Sequence, residues 1–317
     1  MSLMAAPLTV PEGYTSCPLT LDDAHAVYEV MAAQEKHDTG SVEIEPADIV
    51  ADWQRPGYVV EEHGVGVFEG STLVAYSEHV RNDRGDAAVH PDHRGRGLGT
   101  ALAGWMQETA RAAGASVVGM PVPEGSAGDR LLEALGYRVR WRSWVLELPA
   151  GAEVADRPLP EGFVVRAARP APDGGRSPDH DGAWTVQEDA FLEWSDRPRD
   201  TYEEWAAGTV LRPGFEPWHL RVVVDPDGRV VGMAFLVMAA QEDGTVQAYI
   251  DRLATAGDQR GRGLGQALLA DAFRVAREHG ATSSSLSTDS RTGALGLYEK
   301  VGMVVTSTWV NRAVDLT

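Results

Sequence analysis

The feature that most limits what this chain can fold into is an internal repeat. Arg94-Gly95-Arg96-Gly97-Leu98-Gly99 recurs letter for letter at Arg260-Gly261-Arg262-Gly263-Leu264-Gly265, 166 positions later. The same offset pairs Ala101-Leu102 with Ala267-Leu268, Ala110-Arg111 with Ala276-Arg277, and Gly114-Ala115 with Gly280-Ala281. It goes on to pair Leu131, Glu133 and Gly136 with Leu297, Glu299 and Gly302, without an insertion. A period of this size is a whole domain, since solenoid units run to about 20–50 residues. At 317 residues the chain also exceeds the roughly 250–300 residues that one hydrophobic core serves. Two tandem domains are expected, over 1–150 and 162–317, with a linker at 151–161. Leu146-Glu147-Leu148 closes one apolar run, Pro149 to Pro160 is rich in Pro, Gly, Ala and charge, and Phe163-Val164-Val165 opens the next.

Composition removes several classes of function. The net charge of −19, with neither half basic, opposes nonspecific binding to nucleic acid or anionic lipid. No apolar run approaches the roughly 20 residues of a membrane helix. The N-terminus lacks a secretory pattern, and Met1-Ser2-Leu3 ahead of Met4 reads as added residues. Cys17 is the single cysteine, so no internal disulfide or Cys-x-x-Cys site exists, and a cytoplasmic location is expected. Lys36 and Lys300 are the only lysines and neither ends a phosphate-binding Gly-x-x-x-x-Gly-Lys loop. A Gly-x-Ser-x-Gly nucleophile elbow is absent as well.

Each copy reads as strand, glycine-rich turn, helix. In the second, Val222-Val223-Val224 and Val230 to Val237 flank Asp225-Pro226-Asp227-Gly228, an antiparallel hairpin. A strand from Ala248 to Thr255 runs into the glycine loop. After it Leu264, Ala267, Leu268, Ala272, Val275 and Ala276 recur at helical spacing, with Gly280 as a stop. A strand at 283–286, a short helix through Leu295 and Tyr298, and a strand from Val304 to Trp309 complete it. The stretch from Pro170 to Gly182 reads as a surface loop. The class is mixed α/β with a mostly antiparallel sheet. Alternating glycines ahead of a helix expose backbone N–H groups and the positive end of the helix dipole, which together bind phosphate. A plain tight turn with solvated arginines is the simpler use of such a loop, and two identical copies weigh against it.

Arg-x-x-Gly-x-Gly after a strand, with Leu-Tyr-Glu-Lys-x-Gly about 35 residues on, resembles the GNAT family of acetyl-CoA-dependent N-acetyltransferases. Two such domains in one chain are similar to the tandem GNAT group that includes mycothiol synthases. The resemblance covers roughly 65–148 and 220–312. It implies that Arg260, Gly261, Arg262, Gly263, Leu264, Gly265 and Gln266 hold the diphosphate of acetyl-CoA, and that Leu253, Ala254 and Thr255 hold the pantetheine arm and the thioester oxygen. In the first copy Val89 overlays Thr255, and Arg94, Gly95, Arg96, Gly97, Gly99 and Thr100 repeat the loop. Asp289-Ser290-Arg291 stands where the family commonly has an asparagine.

Acetyl transfer to an amine needs a neutral amine, a polarised carbonyl, alignment, and a proton for the departing thiolate. The resemblance assigns that proton to Tyr298. Asp251, just before the arm-binding residues, is the candidate base, with pairing to Arg252 as its plain alternative; Glu188, His219 and Glu242 are weaker candidates. The offset lays Tyr298 over Leu132, which cannot protonate anything, so the second domain is expected to be catalytic and the first not. Residues 179–205 carry nine carboxylates against Arg197 and Arg199, interleaved with Trp184, Phe191, Trp194, Tyr202 and Trp205. Such a surface suits a cationic amine, a polyamine, aminoglycoside or amino sugar, although amphipathic helices with core aromatics and a wetted acidic face are its plainer use. His90 and His93 read as loop residues rather than metal ligands. The function expected is acetyl transfer to a small primary amine. A non-catalytic acetyl-CoA-binding sensor or scaffold, and transfer to a protein amine, stand as alternatives.

Overall fold

The computed structural model describes residues 8–316 except 43, 45, 55–57, 82, 153, 155–156, 172–174, 196 and 242–243. The chain forms two compact units, Met1–Arg142 with Ser307–Thr317, and Ser143–Thr306. Glu242, Asp196 and the Met1–Leu3 start lie outside the described residues.

In the first unit β1 (Thr15–Pro18), β2 (Gly64–Glu69), β3 (Thr72–Arg81), β4 (Arg84–Val89) and β5 (Val117–Pro123) run side by side in that order. Helices α1 (Ala24–Asp38), α2 (Pro46–Trp53), α3 (Val60–His63), α4 (Leu98–Ala112) and α5 (Ala127–Ala134) accompany them. Between the units in sequence comes β6 (Arg138–Leu148). The second unit has β7 (Val164–Ala167), α6 (Pro178–Phe191), α7 (Tyr202–Ala207), β8 (Leu220–Val224), β9 (Val230–Ala240), β10 (Val246–Thr255), α8 (Leu264–Glu278), β11 (Ser283–Asp289) and α9 (Leu295–Lys300); β12 (Val304–Asp315) follows in sequence and from Ser307 on belongs to the first unit. The sheet order of the second unit is β6-β11-β10-β9-β8-β7. Pairing is antiparallel except for β4 with β5 and β10 with β11.

The sixth strand of each unit comes from the other copy's sequence. Trp309–Asp315 of β12 pairs with Val117–Pro123 of β5 in the first unit, and Ser143–Leu148 of β6 pairs with β11 in the second. The packing boundary therefore differs from a seam at 151–161: residues 143–150 pack with the second unit and 307–317 with the first. The reason is strand pairing over long sequence distance. Arg312 of β12 is buried with its guanidinium on Asp129 of α5 and donates to the Tyr137 carbonyl at 3.1 Å. Gly119 has no side chain where a Cβ would lie 2.1 Å from the Arg312 carbonyl, so β12 can lie close there.

Local chemistry explains the remaining elements. The 225–228 turn closes because Asp225 Oδ1 accepts from the Asp227 and Arg229 amides, and Gly228 takes φ +85°. The helix α6 begins earlier than the loop expected to Gly182. Ser177 accepts from the His180 amide and Pro178 fills the first turn, where its missing N–H costs nothing. Gly182 then allows close packing, since a Cβ would stand 2.6 Å from Val230 Cβ. In α8 the apolar stripe is buried as its spacing requires, with Leu269 and Phe273 added.

Candidate active site

A parting of two strands creates the site. β10 and β11 pair only over Gln247–Tyr249 and Ser283–Ser285, although both continue several residues further. A bulge between Ile250 and Arg252 turns β10 at the same place. The Ala256 amide bonds to the Val231 carbonyl on β9, so by alternation the Leu253 and Thr255 amides face the opening. No side chain among the described residues accepts from either. The opening is a cavity of about 880 Å³. Leu253, Ala254, Thr255, Arg260, Gly261, Gly263, Leu264, Gly265 and Gln266 line it, together with Asp251 and Tyr298.

The loop ahead of α8 has the geometry its glycines permit. Gly261 and Gly263 take φ +74° and +81°, a region costly for other residues, and Gly263 opens the helix. Gly265 serves packing instead: a Cβ there would meet Leu297 of α9 at 3.3 Å. Arg260 forks onto Glu193 at 2.6 and 2.8 Å, and that bond holds the Glu193 carboxyl below its usual range. Arg262 does not line the cavity; it lies over the Phe163 ring and donates to Gln259 at 2.5 Å. Bare amides at a helix start, open space beside both left-handed glycines, and a parted strand edge fit a diphosphate with an extended arm.

Tyr298 on α9 is 7% exposed and shares the cavity wall with Thr288 of β11. Burial pushes its phenol above the ordinary tyrosine range, against a smaller opposite pull from the Thr288 hydroxyl, so it keeps its proton at neutral pH. Asp251 occupies the bulge with its carboxylate 3.1 Å from Arg252 Nε. Glu188 and His219 are placed outside the cavity. Glu188 is fully buried, forks with Arg197 at 2.7 and 2.9 Å and accepts from the Asp200 amide. His219 Nδ1 accepts from the Glu216 amide beneath Trp218.

Most carboxylates of the 179–205 stretch have arginine partners. Asp179 is bound by Arg166, Asp181 by Arg176, Glu188 and Asp200 by Arg197, Asp189 by Arg199 and Glu193 by Arg260. Trp184 and Tyr202 lie against Arg176, and Trp205 is core. Among the described residues of that stretch, Ala190, Phe191, Glu193 and Trp194 line the cavity, Trp194 under the guanidinium of Arg291. Sequence reading passed over Thr288, Arg291 and Lys300, which also line it.

The first unit builds the same loop and spends its donors internally. Gly95 and Gly97 take φ +74° and +84°. Val89, Arg94, Gly95, Gly97, Gly99 and Thr100 line a cavity of about 320 Å³. Yet the Val89 amide donates to Gln34 Oε1 at 3.2 Å and the Ala87 amide to Asp86 Oδ1 at 2.8 Å. Arg94 forks onto Asp38 at 2.7 and 2.8 Å, and Arg96 donates to Tyr14 at 2.8 Å, away from the cavity. Leu132 is buried at the place of Tyr298. His93 Nδ1 is bonded to the Tyr14 hydroxyl, and His90 Nδ1 accepts from the Asp92 amide.

A strand edge parted beside a glycine loop, twice in one chain, defines a tandem acyltransferase architecture, and the comparisons agree. The acetyltransferase (GNAT) family model matches residues 181–303 and the FR47-like protein model residues 64–145. Mycothiol acetyltransferase of Salinispora arenicola is 31% identical over 258 residues, 78% of each chain; that of Streptomyces avermitilis is 29% identical over 75% of each. Among solved structures, a GCN5-related N-acetyltransferase from Sphaerobacter thermophilus superposes with a TM-score of 0.77 at 26% identity, covering 97% of both chains. A tandem GNAT protein from the clavulanic acid biosynthesis pathway shares the fold, at TM-score 0.68 and 15% identity over 96% of this chain and 99% of that one. The chain belongs to the GNAT acetyltransferase family and is an N-acetyltransferase. Members of that family use acyl-CoA. No helix among the described residues is long and apolar enough to cross a membrane.

Proposed function

We propose that the second unit transfers an acetyl group from acetyl-CoA to the primary amine of a small molecule of amino-sugar type, with Tyr298 as general acid, and that the first unit is not catalytic. The observation that carries this reading is the buried, protonated phenol on the wall of a cavity whose strand amides are open, against a leucine and engaged amides in the other unit. When bound, acetyl-CoA supplies a thioester whose carbonyl carbon the amine attacks. Gly261, Gly263 and the start of α8 bind the diphosphate, with Arg260 and Lys300 nearby as cations. Leu253 and Thr255 align the arm and polarise the carbonyl through N–H bonds. Tyr298 gives its proton to the departing sulfur. Asp251 accepts the ammonium proton, directly or through water, an incoming ammonium competing with Arg252 for it. The mycothiol acetyltransferase relatives support an amino-sugar acceptor.

Thioester consumption is the test, measured with an amine panel of des-acetyl mycothiol, glucosamine, spermidine and a peptide N-terminus. Tyr298→Phe is expected to lower kcat about a hundred-fold, with Leu132→Ala near wild type. Equal losses in both variants would remove the assignment of the chemistry to the second unit. Turnover of the peptide alone would replace the small-molecule acceptor by a protein one.

A further inference from the structure

We infer that helix α1 is an internal ligand of the first unit: Gln34 and Asp38 take up the strand amide and the guanidinium that an acyl-CoA would use there, so the chain binds one acyl-CoA rather than two. The inference rests on reading the open edge of β10 with its glycine loop as the acyl-CoA site of the second unit.

The first unit does have the opening. β4 and β5 pair at Arg84 and Gly119 and not along 85–89, and the bends at Gly95 and Gly97 repeat those at Gly261 and Gly263. At the offset of 166, Ala87, Val89 and Arg94 stand for Leu253, Thr255 and Arg260. The Leu253 and Thr255 amides face the opening, whereas both counterparts already have an acceptor. Asp86 Oδ1 takes the Ala87 amide at 2.8 Å and Gln34 Oε1 the Val89 amide at 3.2 Å. The arm of acyl-CoA is built from amides, and a carboxamide oxygen on a strand N–H is the bond that its carbonyl would make. The Val89 carbonyl is engaged too, accepting from Arg94 Nε at 3.4 Å.

Gln34 and Asp38 lie one turn apart on α1 and both line the cavity. Asp38 holds Arg94 by both carboxylate oxygens, at 2.7 and 2.8 Å, and its side chain is 7% exposed. Glu193, which forks with Arg260 in the second unit, is 47% exposed. A diphosphate can draw Arg260 away because water then solvates Glu193. Drawing Arg94 away leaves Asp38 an unpaired charge largely out of reach of solvent, which lowers affinity about a hundred-fold or more. The space left beside Gln34 is about 320 Å³, against about 880 Å³ in the second unit, and Leu102, Met106, Met120, Val122 and Leu132 are among its walls. Those side chains offer no hydrogen bond to the amides of the arm.

Calorimetric titration of the full chain with acetyl-CoA tests this. Wild type is expected to bind one equivalent. Gly263→Glu, which sets a carboxylate where the second unit takes the diphosphate, is expected to bind none at concentrations that saturate wild type. The double variant Gln34→Ala with Asp38→Ala frees the Val89 amide and Arg94 and is expected to bind a second equivalent. Two equivalents in wild type, or one retained in Gly263→Glu, overturn the inference. So does a double variant that stays at one equivalent while its circular dichroism spectrum is unchanged. Should the double variant not fold, Gln34→Ala is made in the Gly263→Glu background, where a gain of weak binding supports the inference and its absence overturns it. If wild type binds no acetyl-CoA, the reading of the second unit falls, and the double variant still decides the role of α1: a site gained supports it, none overturns it.

Discussion

At the scale of single residues, the acidic stretch before α7 shows how context decides a carboxylate's use. Glu188 looked like a candidate base and is a structural ion. Burial pushes its carboxyl up, but the Arg197 fork and the Asp200 amide outweigh that and hold it below the usual carboxylate range. A depressed folded-state pKa adds stability that is present above the unfolded value, about 4.3, and is lost as pH falls through the folded one. Glu188→Ala should therefore cost about 1–3 kcal/mol, because the Asp200 amide loses its acceptor and Arg197 keeps only Asp200 as an anionic partner, and the gap to wild type should narrow in melting curves recorded below pH 4. Tyr298 and the loop residues were legible from a motif. Thr288 was not, because a threonine in a strand carries no signal of its own until the register of β11 against α9 is known. Comparing the two copies, Val122 against Thr288, was the one clue available in the sequence.

At the scale of elements, the glycine loops separate what a backbone permits from what a site uses. Both loops adopt the left-handed bends, and both lead into 15-residue helices. Only the second faces a large cavity with open strand amides. Gly263→Ala is expected to strain the bend by roughly 1–2 kcal/mol and raise KM for acetyl-CoA, whereas Gly97→Ala should bring a similar loss of thermal stability with turnover unchanged. Steady-state kinetics beside calorimetry on both variants checks this, and equal kinetic damage would show the first loop to be in use. Gly182→Ala probes helix against sheet: a methyl 2.6 Å from Val230 Cβ forces α6 or β9 to shift, at a cost of about 1–3 kcal/mol read from the denaturation midpoint.

At the scale of the molecule, the sixth strands make the two copies dependent on each other's sequence. A fragment of residues 1–150 lacks Trp309–Asp315, so β5 loses its antiparallel partner and Asp129 loses the guanidinium of Arg312. A fragment of 162–317 lacks the Ser143–Leu148 strand beside β11. Neither fragment is expected to give a cooperative thermal transition, while the full chain should. A sharp transition from residues 1–150 alone would show that the exchanged strand is dispensable. In the full chain, Arg312→Ala should cost about 3–5 kcal/mol, seen in hydrogen exchange first at β5 and α5.

The amino-acid sequence by itself determined the duplication, the strand–loop–helix of each copy and the loss of the phenol from the first. These follow from residue identity and short-range spacing: glycine's access to left-handed backbone, helical periodicity, and a leucine that has no proton to give. The folded structure alone decided which sheet each terminal strand joins, which amides and arginines are already engaged, and that Tyr298 is buried on the cavity wall. Those depend on groups far apart in the chain meeting at hydrogen-bond distance, as Gln34 meets Val89 and Arg312 meets Asp129, and local pattern carries no record of such meetings.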